Sequence, residues 1–302
     1  IYTGEDTLSL HDALPISIIT PSYNQGQFIE ETIQSVLGQQ YPNLEYMIID
    51  GGSNDNTVDI IKKYEKHISY WCSEKDSGQA NAINKGFARA TGDILMWLNS
   101  DDMLMPNILQ LIAKKYVENP NALYFGNCLH FRHQENALIS SGSNVTAEHK
   151  NNPLSEVDFI IQPSSFWSKE IWENIGLLSE ELHFGFDWEW FLRVEKKYPL
   201  IPISECISLY RIHDAHKSGT GGYKRQEELL KIYEIYNPKM AFLYNSLMKG
   251  QIDVIKKYDT LKYKIKRKLR RETSLFQKIR DFNNGKLNEY SNQQIRNAVS
   301  ML

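Results

Sequence analysis

Cysteine is scarce in this sequence. The chain of 302 residues contains Cys72, Cys128 and Cys206, which lie far apart and form no CxxC pair. Such a set supplies neither the framework of a disulfide-stabilised secreted domain nor the paired ligands of a structural zinc site. The cysteine content therefore favours a reducing compartment.

Long apolar runs and an excess of basic residues are also missing. No stretch approaches the roughly 20 apolar residues that a membrane-spanning helix requires, and no signal peptide is recognisable. The net charge is −3, which does not indicate a nucleic-acid partner. We therefore expect a cytoplasmic protein that binds no nucleic acid.

The usual glycine-rich phosphate loops are absent as well. The sequence has no GxGxxG after its first predicted strand and no GxxxxGK[ST] anywhere. This excludes the ordinary dinucleotide fingerprint and the P-loop. A nucleotide would need a different site, and polar loops at strand ends with a divalent cation on the phosphates would supply one.

The two ends of the chain differ from its middle. Residues 1–16, IYTGEDTLSLHDALPI, look like a translated sequencing adapter, with a genuine polar extension as the alternative. We exclude them from the fold prediction and expect the native sequence to begin near Ile16 or Ser17. Residues 17–222 are predicted to form the main domain, and 223–302 a helical, basic extension. Its segment 256–271 could lie on an anionic membrane surface or pack as an ordinary helix.

Strands and helices alternate in the first part of the main domain. The predicted strands are 17–20, 46–49, 69–72 and 94–98, and the predicted helices are 28–37, 57–64 and 79–90. This alternation predicts βαβ units and a parallel sheet. Each strand is followed by a loop rich in Asp, Ser, Asn and Gly. Because the carboxyl ends of parallel strands share one edge of the sheet, these loops should converge on one cleft.

Two adjacent acids follow the buried run 94–98. Asp101 and Asp102 stand at the carboxyl end of a predicted strand, where open α/β sheets bind ligands. Neighbouring carboxylates repel each other unless a cation or hydrogen-bond donors compensate their charge. A hard divalent cation held by one carboxylate and by substrate phosphates would do so. The alternative is that the acids cap the helix that Pro106 begins.

Five segments, in this order, resemble the inverting family 2 glycosyltransferases. They are SIITPSYNQGQFIEETIQSVLGQQYPNLEYMIIDGGSNDNT, EKDSGQANAINKGFARATGDILMWLNSDDMLMP, QPSSFW, FDWEWFLRV and YRIH. The resemblance covers residues 17 to about 218. It implies an α/β, A-type glycosyltransferase fold, with a Rossmann-like, doubly wound, mostly parallel sheet and a helical C-terminal extension.

The resemblance also implies a donor site made from the strand-end loops. The residues that it places there are Pro21, Ser22, Tyr23, Asp50, Asp76, Gly78, Asn81, Lys85 and Asp101. Asp50 would accept a hydrogen bond from a uracil imide, and Asp101 would face the ribose. Lys85 could approach the diphosphate, although a solvated helix position is the alternative.

A metal site and a catalytic base are implied in the same way. Asp102 would bind Mn²⁺ or Mg²⁺ with His213 nearby, although the first acid of a strict DxD motif is absent. An inverting transfer needs a base for the acceptor hydroxyl. Asp187 is the candidate and Glu189 the alternative, because Phe186 replaces the first acid of the family's Glu-Asp pair. Gln162 and Trp188 would lie near the acceptor.

The expected function is a metal-dependent transfer of a hexosyl or hexosaminyl group. The donor would be a UDP- or dTDP-sugar and the acceptor a glycan or a lipid-linked saccharide, in bacterial cell-surface polysaccharide synthesis. The protein would then be cytoplasmic or peripheral at the inner face of the plasma membrane. The alternatives are a non-catalytic nucleotide-sugar-binding paralogue and a phosphoryl or nucleotidyl transferase.

Overall fold

The chain divides into two structural units. The computed structural model describes residues 13–132, 137–140, 145–214, 216–248, 276, 279–280 and 285–302. The first unit comprises Ile1–Lys150 and Ile160–Thr220, and the second comprises Asn151–Phe159 and Gly221–Leu302. No helix among the described residues is both long and apolar enough to cross a membrane.

Nine strands of the described residues form one sheet in the first unit. They are β1 (Ile16–Ser22), β2 (Leu44–Asp50), β3 (Tyr70–Ser73), β4 (Ile94–Trp97), β5 (Met103–Leu104), β6 (Leu123–Arg132), β7 (Ala137–Ser140), β8 (Ser165–Ser168) and β9 (Leu200–Ile212). Their order is β3-β2-β1-β4-β8-β6-β9-β5, with β7 paired to β6. Strands β3, β2, β1 and β4 are all parallel, whereas β8 is antiparallel to both β4 and β6.

Helices connect and follow these strands. They are α1 (Ile29–Leu37), α2 (Thr57–Lys63), α3 (Gln79–Phe87), α4 (Ile108–Glu118), α5 (Val145–Asn151), α6 (Lys169–Ile175), α7 (Phe186–Glu195), α8 (Lys217–Thr220), α9 (Gly222–Tyr236), α10 (Pro238–Met248) and α11 (Asn292–Met301). The predicted α/β alternation is therefore present, and helices dominate the described C-terminal residues.

The parallel strands form the centre of the first unit. All seven residues of β1 are buried, as expected for a strand covered on both faces. Helix α3 packs closely on this strand at Gly86, where an added Cβ would lie 2.4 Å from Ile19 Cγ2. Gln39, which is also buried, accepts a hydrogen bond of 2.9 Å from the Ile108 backbone N–H and so satisfies the start of α4. These contacts fix the strands whose ends form the site.

The second unit is held by aromatic packing and a buried polar network. Tyr233 and Tyr244 are both buried, with ring centroids 5.1 Å apart. Asn297 Nδ2 donates to Asn152 Oδ1 at 3.1 Å and to Glu156 Oε2 at 3.2 Å. Residues 151–159 therefore join the helices of this unit although they precede them in sequence. No sequence motif marks this pairing, because it joins segments that are distant in the chain.

The predictions for residues 1–16, 144–153 and 256–271 have different outcomes. The polar stretch 144–153 predicts a loop, but α5 occupies most of it, so this prediction is wrong. The adapter assignment of residues 1–16 stays a prediction, although Leu14 lies against the sheet, where its carbonyl accepts a hydrogen bond of 2.7 Å from Tyr41 Oη. Segment 256–271 lies outside the described residues.

Candidate functional site

The loops after the parallel strands converge, as the sequence predicts. Ser22 at the end of β1 pairs in register with Asp50 at the end of β2, and Asp50 pairs with Ser73 at the end of β3. The chain after β2 continues this alignment, since the Gly51 backbone N–H donates to the Ser22 carbonyl at 2.8 Å. Three of the polar loops therefore begin side by side at one edge of the sheet.

Asp50 is fully buried and its carboxylate binds both its own loop and the end of β3. Oδ2 accepts hydrogen bonds from the backbone N–H groups of Gly52 and Ser53, at 3.1 and 2.9 Å, and from Ser73 Oγ at 2.6 Å. Oδ1 accepts a hydrogen bond of 2.5 Å from Ser53 Oγ. These four bonds show how Asp50 shapes the loop. Its predicted contact with the base stays a prediction and would require one of these acceptors to be shared.

Asp76 lies beside this loop, and its carboxylate is more accessible than that of Asp50. It is half-buried, and its Oδ1 accepts a hydrogen bond of 2.9 Å from the Gly78 backbone N–H. Its Oδ2 lies over Gly51, where an added Cβ would approach to 2.7 Å. Gly78 has a φ of 123°, a conformation that favours glycine. The missing side chain at Gly51 leaves room for the Asp76 carboxylate, and the positive φ of Gly78 lets its N–H reach that carboxylate.

The end of β1 carries an unsatisfied polar group and an exposed ring. Pro21 and Ser22 are buried, and Ser22 Oγ has no hydrogen-bond partner among the residues that the structure describes. A buried hydroxyl is seldom left in this state, so a ligand or a water molecule is expected beside it. Tyr23, the next residue, is 57% exposed. The role of these three residues at the border of the base site stays a prediction.

Asn81 and Lys85, which were expected at the donor, contact other side chains. Lys85 Nζ lies 2.9 Å from Glu74 Oε1, and this hydrogen bond raises the pKa of Lys85. Asn81 Nδ2 donates to Glu180 Oε2 at 3.0 Å. Glu180 also accepts a bond from Asn84. Sequence reasoning missed Glu180, because it lies 99 residues beyond Asn81 and no motif marks it.

The adjacent acids after β4 have different surroundings. Asp102 is 1% exposed, and its Oδ1 accepts a hydrogen bond of 3.1 Å from the Arg211 backbone N–H while Oδ2 accepts one of 3.2 Å from Asn99 Nδ2. The Asp101 side chain is 20% exposed, and its Oδ2 lies 3.0 Å from His213 Nε2. Asp101, and not Asp102, therefore meets the imidazole that the YRIH segment supplies.

Burial makes the charge of Asp102 costly. Its loss of solvation, followed by the neighbouring Asp101 carboxylate, raises the pKa of Asp102 well above its ordinary value. Arg211 lies alongside, where its Nε donates to the Asp101 carbonyl at 2.9 Å and its Nη2 lies 2.6 Å from Glu31 Oε2. The acid pair is thus fixed in place by a buried guanidinium, and its negative charge is only partly compensated.

The side chains that could bind a metal suit a divalent cation that is shared with a substrate. No cluster of three His, Cys, Asp or Glu side chains able to hold a metal occurs in the described part of the chain. A single carboxylate and an imidazole, Asp101 and His213, are nevertheless adjacent. Mn²⁺ and Mg²⁺ commonly take one or two protein carboxylates and fill their remaining positions with phosphate oxygens and water.

The two candidate bases at the start of α7 are distinguished by their partners. Glu189 forms a bidentate ion pair with Arg193, with Nε–Oε1 and Nη2–Oε2 distances both of 3.0 Å. Arg193 also donates to the carbonyls of Ile175 and Leu177, at 2.7 Å each. Glu189 therefore joins α7 to the end of α6. Asp187 is half-buried, and its Oδ1 caps the Trp188 backbone N–H at 2.9 Å.

The tryptophans of α7 belong to the core. Trp188 and Trp190 are 1% and 0% exposed. Trp190 packs against Trp167, with ring centroids 4.9 Å apart, and its Nε1 donates to the Gly176 carbonyl at 2.9 Å. Neither ring offers an open face on which a sugar could stack. A role for Trp188 near the acceptor stays a prediction, in which it would act by supporting Asp187.

A chain of amide side chains connects these groups. Gln79 Nε2 donates to Asn99 Oδ1 at 2.8 Å, and Asn99 Nδ2 lies 3.3 Å from Gln162 Oε1 as well as contacting Asp102. Gln162 Nε2 donates to the Trp97 carbonyl at 2.7 Å. The predicted acceptor-side residue Gln162 is therefore a near neighbour of the acid pair. Gln79 and Asn99 were not singled out from the sequence, because their importance depends on this packing.

The family model for "Glycosyl transferase family 2" matches residues 17–172. The chain belongs to this family. The matched residues include β1 to β4, their polar loops and the acid pair, so family 2 membership and the geometry identify the same region. As a member of this family, the protein is a glycosyltransferase.

Relatives and solved structures agree with this assignment. An uncharacterized glycosyltransferase of Rickettsia typhi is 27% identical over 249 residues, which are 78% of this chain and 75% of that protein. The putative teichuronic acid biosynthesis glycosyltransferase TuaG of Bacillus subtilis is 46% identical over 115 residues, which are 36% of this chain and 45% of TuaG.

Two solved structures share the fold. S. aureus TarS 1-349 in complex with UDP-GlcNAc matches with a TM-score of 0.59 at 15% identity, over 83% of this chain and 78% of that one. The mannosyltransferase PcManGT of Pyrobaculum calidifontis, in complex with GDP-Man and Mn²⁺, matches with a TM-score of 0.60 at 14% identity, over 95% and 86%. The predicted A-type fold with its helical C-terminal extension is confirmed.

Proposed function

We propose that this family 2 protein transfers a sugar from a nucleotide diphosphate donor to a saccharide or lipid-linked acceptor, with inversion at the anomeric carbon. The observation that carries the proposal is the convergence of the strand-end loops. The Ser22 hydroxyl, which has no partner among the described residues, lies at one end, and the Asp101–His213 pair lies at the other. Such an edge offers groups for a base, a ribose and a diphosphate.

The donor would lie along this edge. Tyr23 offers an exposed ring for the base, and Asp76 offers an acceptor for a base N–H, with Asp50 shaping the loop between them. The solved relatives bind UDP-GlcNAc and GDP-Man. A uracil or thymine imide N–H would donate to the Asp76 carboxylate, so we favour a UDP- or dTDP-sugar. Guanine also carries an N–H donor, so the test includes GDP-sugars.

Asp101 and His213 would hold the divalent ion, with Asp102 supporting Asp101 from within the protein. The burial of Asp102 and its two hydrogen bonds favour this arrangement over direct ligation by Asp102. When bound, Mn²⁺ or Mg²⁺ would neutralise charge on the diphosphate. The PcManGT structure contains Mn²⁺, which supports the use of a divalent ion.

Asp187 would act as the general base. Its carboxylate would take the proton of the acceptor hydroxyl as the hydroxyl oxygen forms a bond to the anomeric carbon. The bond from that carbon to the phosphate oxygen breaks at the same time, and its electron pair leaves with the nucleoside diphosphate. The ion pair of Glu189 with Arg193 favours Asp187 for this role.

The similarity to TuaG supports a role in cell-surface polysaccharide synthesis. We place this activity at the cytoplasmic face of the plasma membrane, with the basic sequence 256–271 as a peripheral contact to anionic lipid. Residues 17–222 would form the catalytic domain, and 223–302 the extension.

A donor panel tests the proposal. Purified protein is incubated with UDP-, dTDP- and GDP-sugars, with and without Mn²⁺ or Mg²⁺ and with a cell-wall extract as acceptor, and released nucleoside diphosphate is measured. Metal-dependent release with at least one donor is expected. Donor binding by calorimetry without transfer to any acceptor would instead support a non-catalytic nucleotide-sugar-binding protein.

A further inference from the structure

The segment between α6 and α7 is bonded to α3. Asn84 of α3 is buried, and its Nδ2 donates to the Leu178 carbonyl at 3.0 Å while its Oδ1 accepts from the Leu178 backbone N–H, also at 3.0 Å. This reciprocal pair satisfies both backbone groups of a residue that lies outside any helix or strand. The amide of Asn84 therefore fixes the first part of the segment on α3.

Glu180 extends this attachment to the start of α3. Its Oε1 accepts a hydrogen bond of 3.1 Å from Asn84 Nδ2, and its Oε2 accepts bonds of 3.0 Å from Asn81 Nδ2 and 3.2 Å from Ser77 Oγ. Three donors thus converge on one carboxylate. The hydrogen bond from Asn84, followed by that from Asn81, holds the pKa of Glu180 below its ordinary value, so the carboxylate is charged at neutral pH.

Glu180 connects two parts of the candidate site. On one side it bonds to Ser77, which stands between Asp76 and Gly78, two predicted donor residues with a hydrogen bond of their own at 2.9 Å. On the other side it precedes Asp187 by seven residues. The candidate donor loop is therefore joined, through one carboxylate, to the segment that leads to the candidate base.

We propose that Glu180 is a positioning residue for the transfer, an inference that rests on the proposed function. By holding the segment before α7 on the donor loop, it keeps the Asp187 carboxylate where the acceptor hydroxyl attacks the bound donor. A reacting group displaced by about 1 Å can cost roughly a hundredfold in rate. Because Glu180 is itself exposed, its loss should disturb this alignment without unfolding the protein.

Steady-state kinetics of Glu180→Ala tests this role, with the donor and acceptor that the donor panel identifies. The kcat should fall roughly tenfold, and the melting temperature should stay close to that of the wild type. The affinity for the matching nucleoside diphosphate, measured by calorimetry, should be almost unchanged, because Asp76 and Gly78 keep their own bond. Glu180→Gln retains one acceptor oxygen and should lose less kcat than Glu180→Ala.

The double variant Glu180→Ala/Asp187→Asn separates positioning of the base from a general structural role. If Glu180 acts through Asp187, adding Glu180→Ala to Asp187→Asn should lower the single-turnover rate no further, because the aligned carboxylate is already absent. Glu181→Ala is the matched control. It removes the same charge from the next residue, which is also exposed, and should keep the kcat of the wild type.

Three outcomes would overturn the assignment of Glu180 alone. The first is a Glu180→Ala enzyme with the kcat of the wild type. The second is a tenfold loss that persists in the Asp187→Asn background, which would show an action independent of the base. The third is a parallel loss of diphosphate affinity, which would show that Glu180 serves the donor loop instead. A wild type that transfers no sugar would overturn the proposed function, and this inference with it.

Discussion

Two buried polar clusters, one in each unit, differ in how they are satisfied. In the helical unit, Asn297 donates to Asn152 and Glu156 and its own Oδ1 accepts from Gln293 at 3.0 Å, so the network closes on itself. At the sheet edge, the Ser22 hydroxyl has no partner in the described structure, and burial raises the pKa of Asp102. The closed Asn297 network has the character of a structural support, whereas the incompletely compensated hydroxyl and acids at the sheet edge have that of a ligand site.

The polar residues of the sheet edge and those of the helical network should therefore have different roles, although composition alone does not distinguish them. A substitution at the sheet edge should reduce turnover and leave the fold largely intact. A substitution in the helical network should reduce stability and leave the turnover of folded molecules unchanged. Variants of both kinds would therefore test whether the comparison holds.

Asp187→Asn should have the largest effect. Without a carboxylate to accept the proton of the acceptor, kcat should fall by roughly 10²–10⁴-fold while the melting temperature stays close to that of the wild type. Glu189→Gln should leave kcat nearly unchanged. It should lower the free energy of unfolding by about 1 kcal/mol, because its pair with Arg193 is weakened. Steady-state kinetics and thermal melts measure both. A Glu189→Gln enzyme with the larger loss of kcat would reassign the base.

Asp101→Asn should have the next largest effect. Loss of the carboxylate beside His213 should lower activity by roughly 10²–10³-fold and raise the Mn²⁺ concentration needed for half-maximal rate. Asp102→Asn should lower activity less, because it retains an acceptor for the Arg211 backbone N–H. Metal titrations of donor turnover compare the two variants. If Asp102→Asn needs more Mn²⁺ for half-maximal rate than Asp101→Asn does, Asp102 is the metal ligand, as the sequence predicts.

Asn297→Ala tests the helical network. It removes the donor to Asn152 and Glu156 and leaves buried acceptors unsatisfied, so the free energy of unfolding should drop by about 1–3 kcal/mol. Activity per folded molecule should not change. Urea denaturation and active-site titration give the two quantities. A loss of activity at full stability would contradict the division of roles.

The smallest predicted effect is a pH dependence of stability in the absence of metal. The pKa of Asp102 is raised in the folded state, so its protonated form stabilises the fold below the ordinary Asp range. That contribution is lost as the pH rises through the raised folded pKa. In EDTA, the difference in melting temperature between the wild type and Asp102→Asn should therefore change as the pH rises above about 4, the ordinary pKa of Asp. A constant difference would mean that Asp102 does not titrate in this range.

Local patterns predicted the first half of the sheet well. The apolar runs that end at Asp50 and before Asn99 became β2 and β4, because a buried parallel strand requires a continuous apolar run. Residues 169–175 predict a short helix stopped by Gly176, and α6 has these bounds. Residues 144–153 were misjudged as a loop, since a short polar helix has little periodicity in sequence.

The site was predictable as a set of loops but not as a set of contacts. Asp50 and Asp76 were grouped correctly at strand ends, yet their different burial follows from Ser53, Ser73 and Gly51 around them. Glu180 was missed because its partners are on α3, far away in sequence. Side-chain partners across such separations leave no periodic signal.

The sequence by itself determined the alternation of strands and helices, the polar loops at the strand ends and the motif order of family 2. These follow from short-range periodicity and from residues that are neighbours in the chain. The tertiary structure decided that Asp101, and not Asp102, faces His213, that Arg193 engages Glu189, and that Glu180 bonds to α3. These outcomes depend on which segments pack together, and burial and charge compensation are properties of that packing.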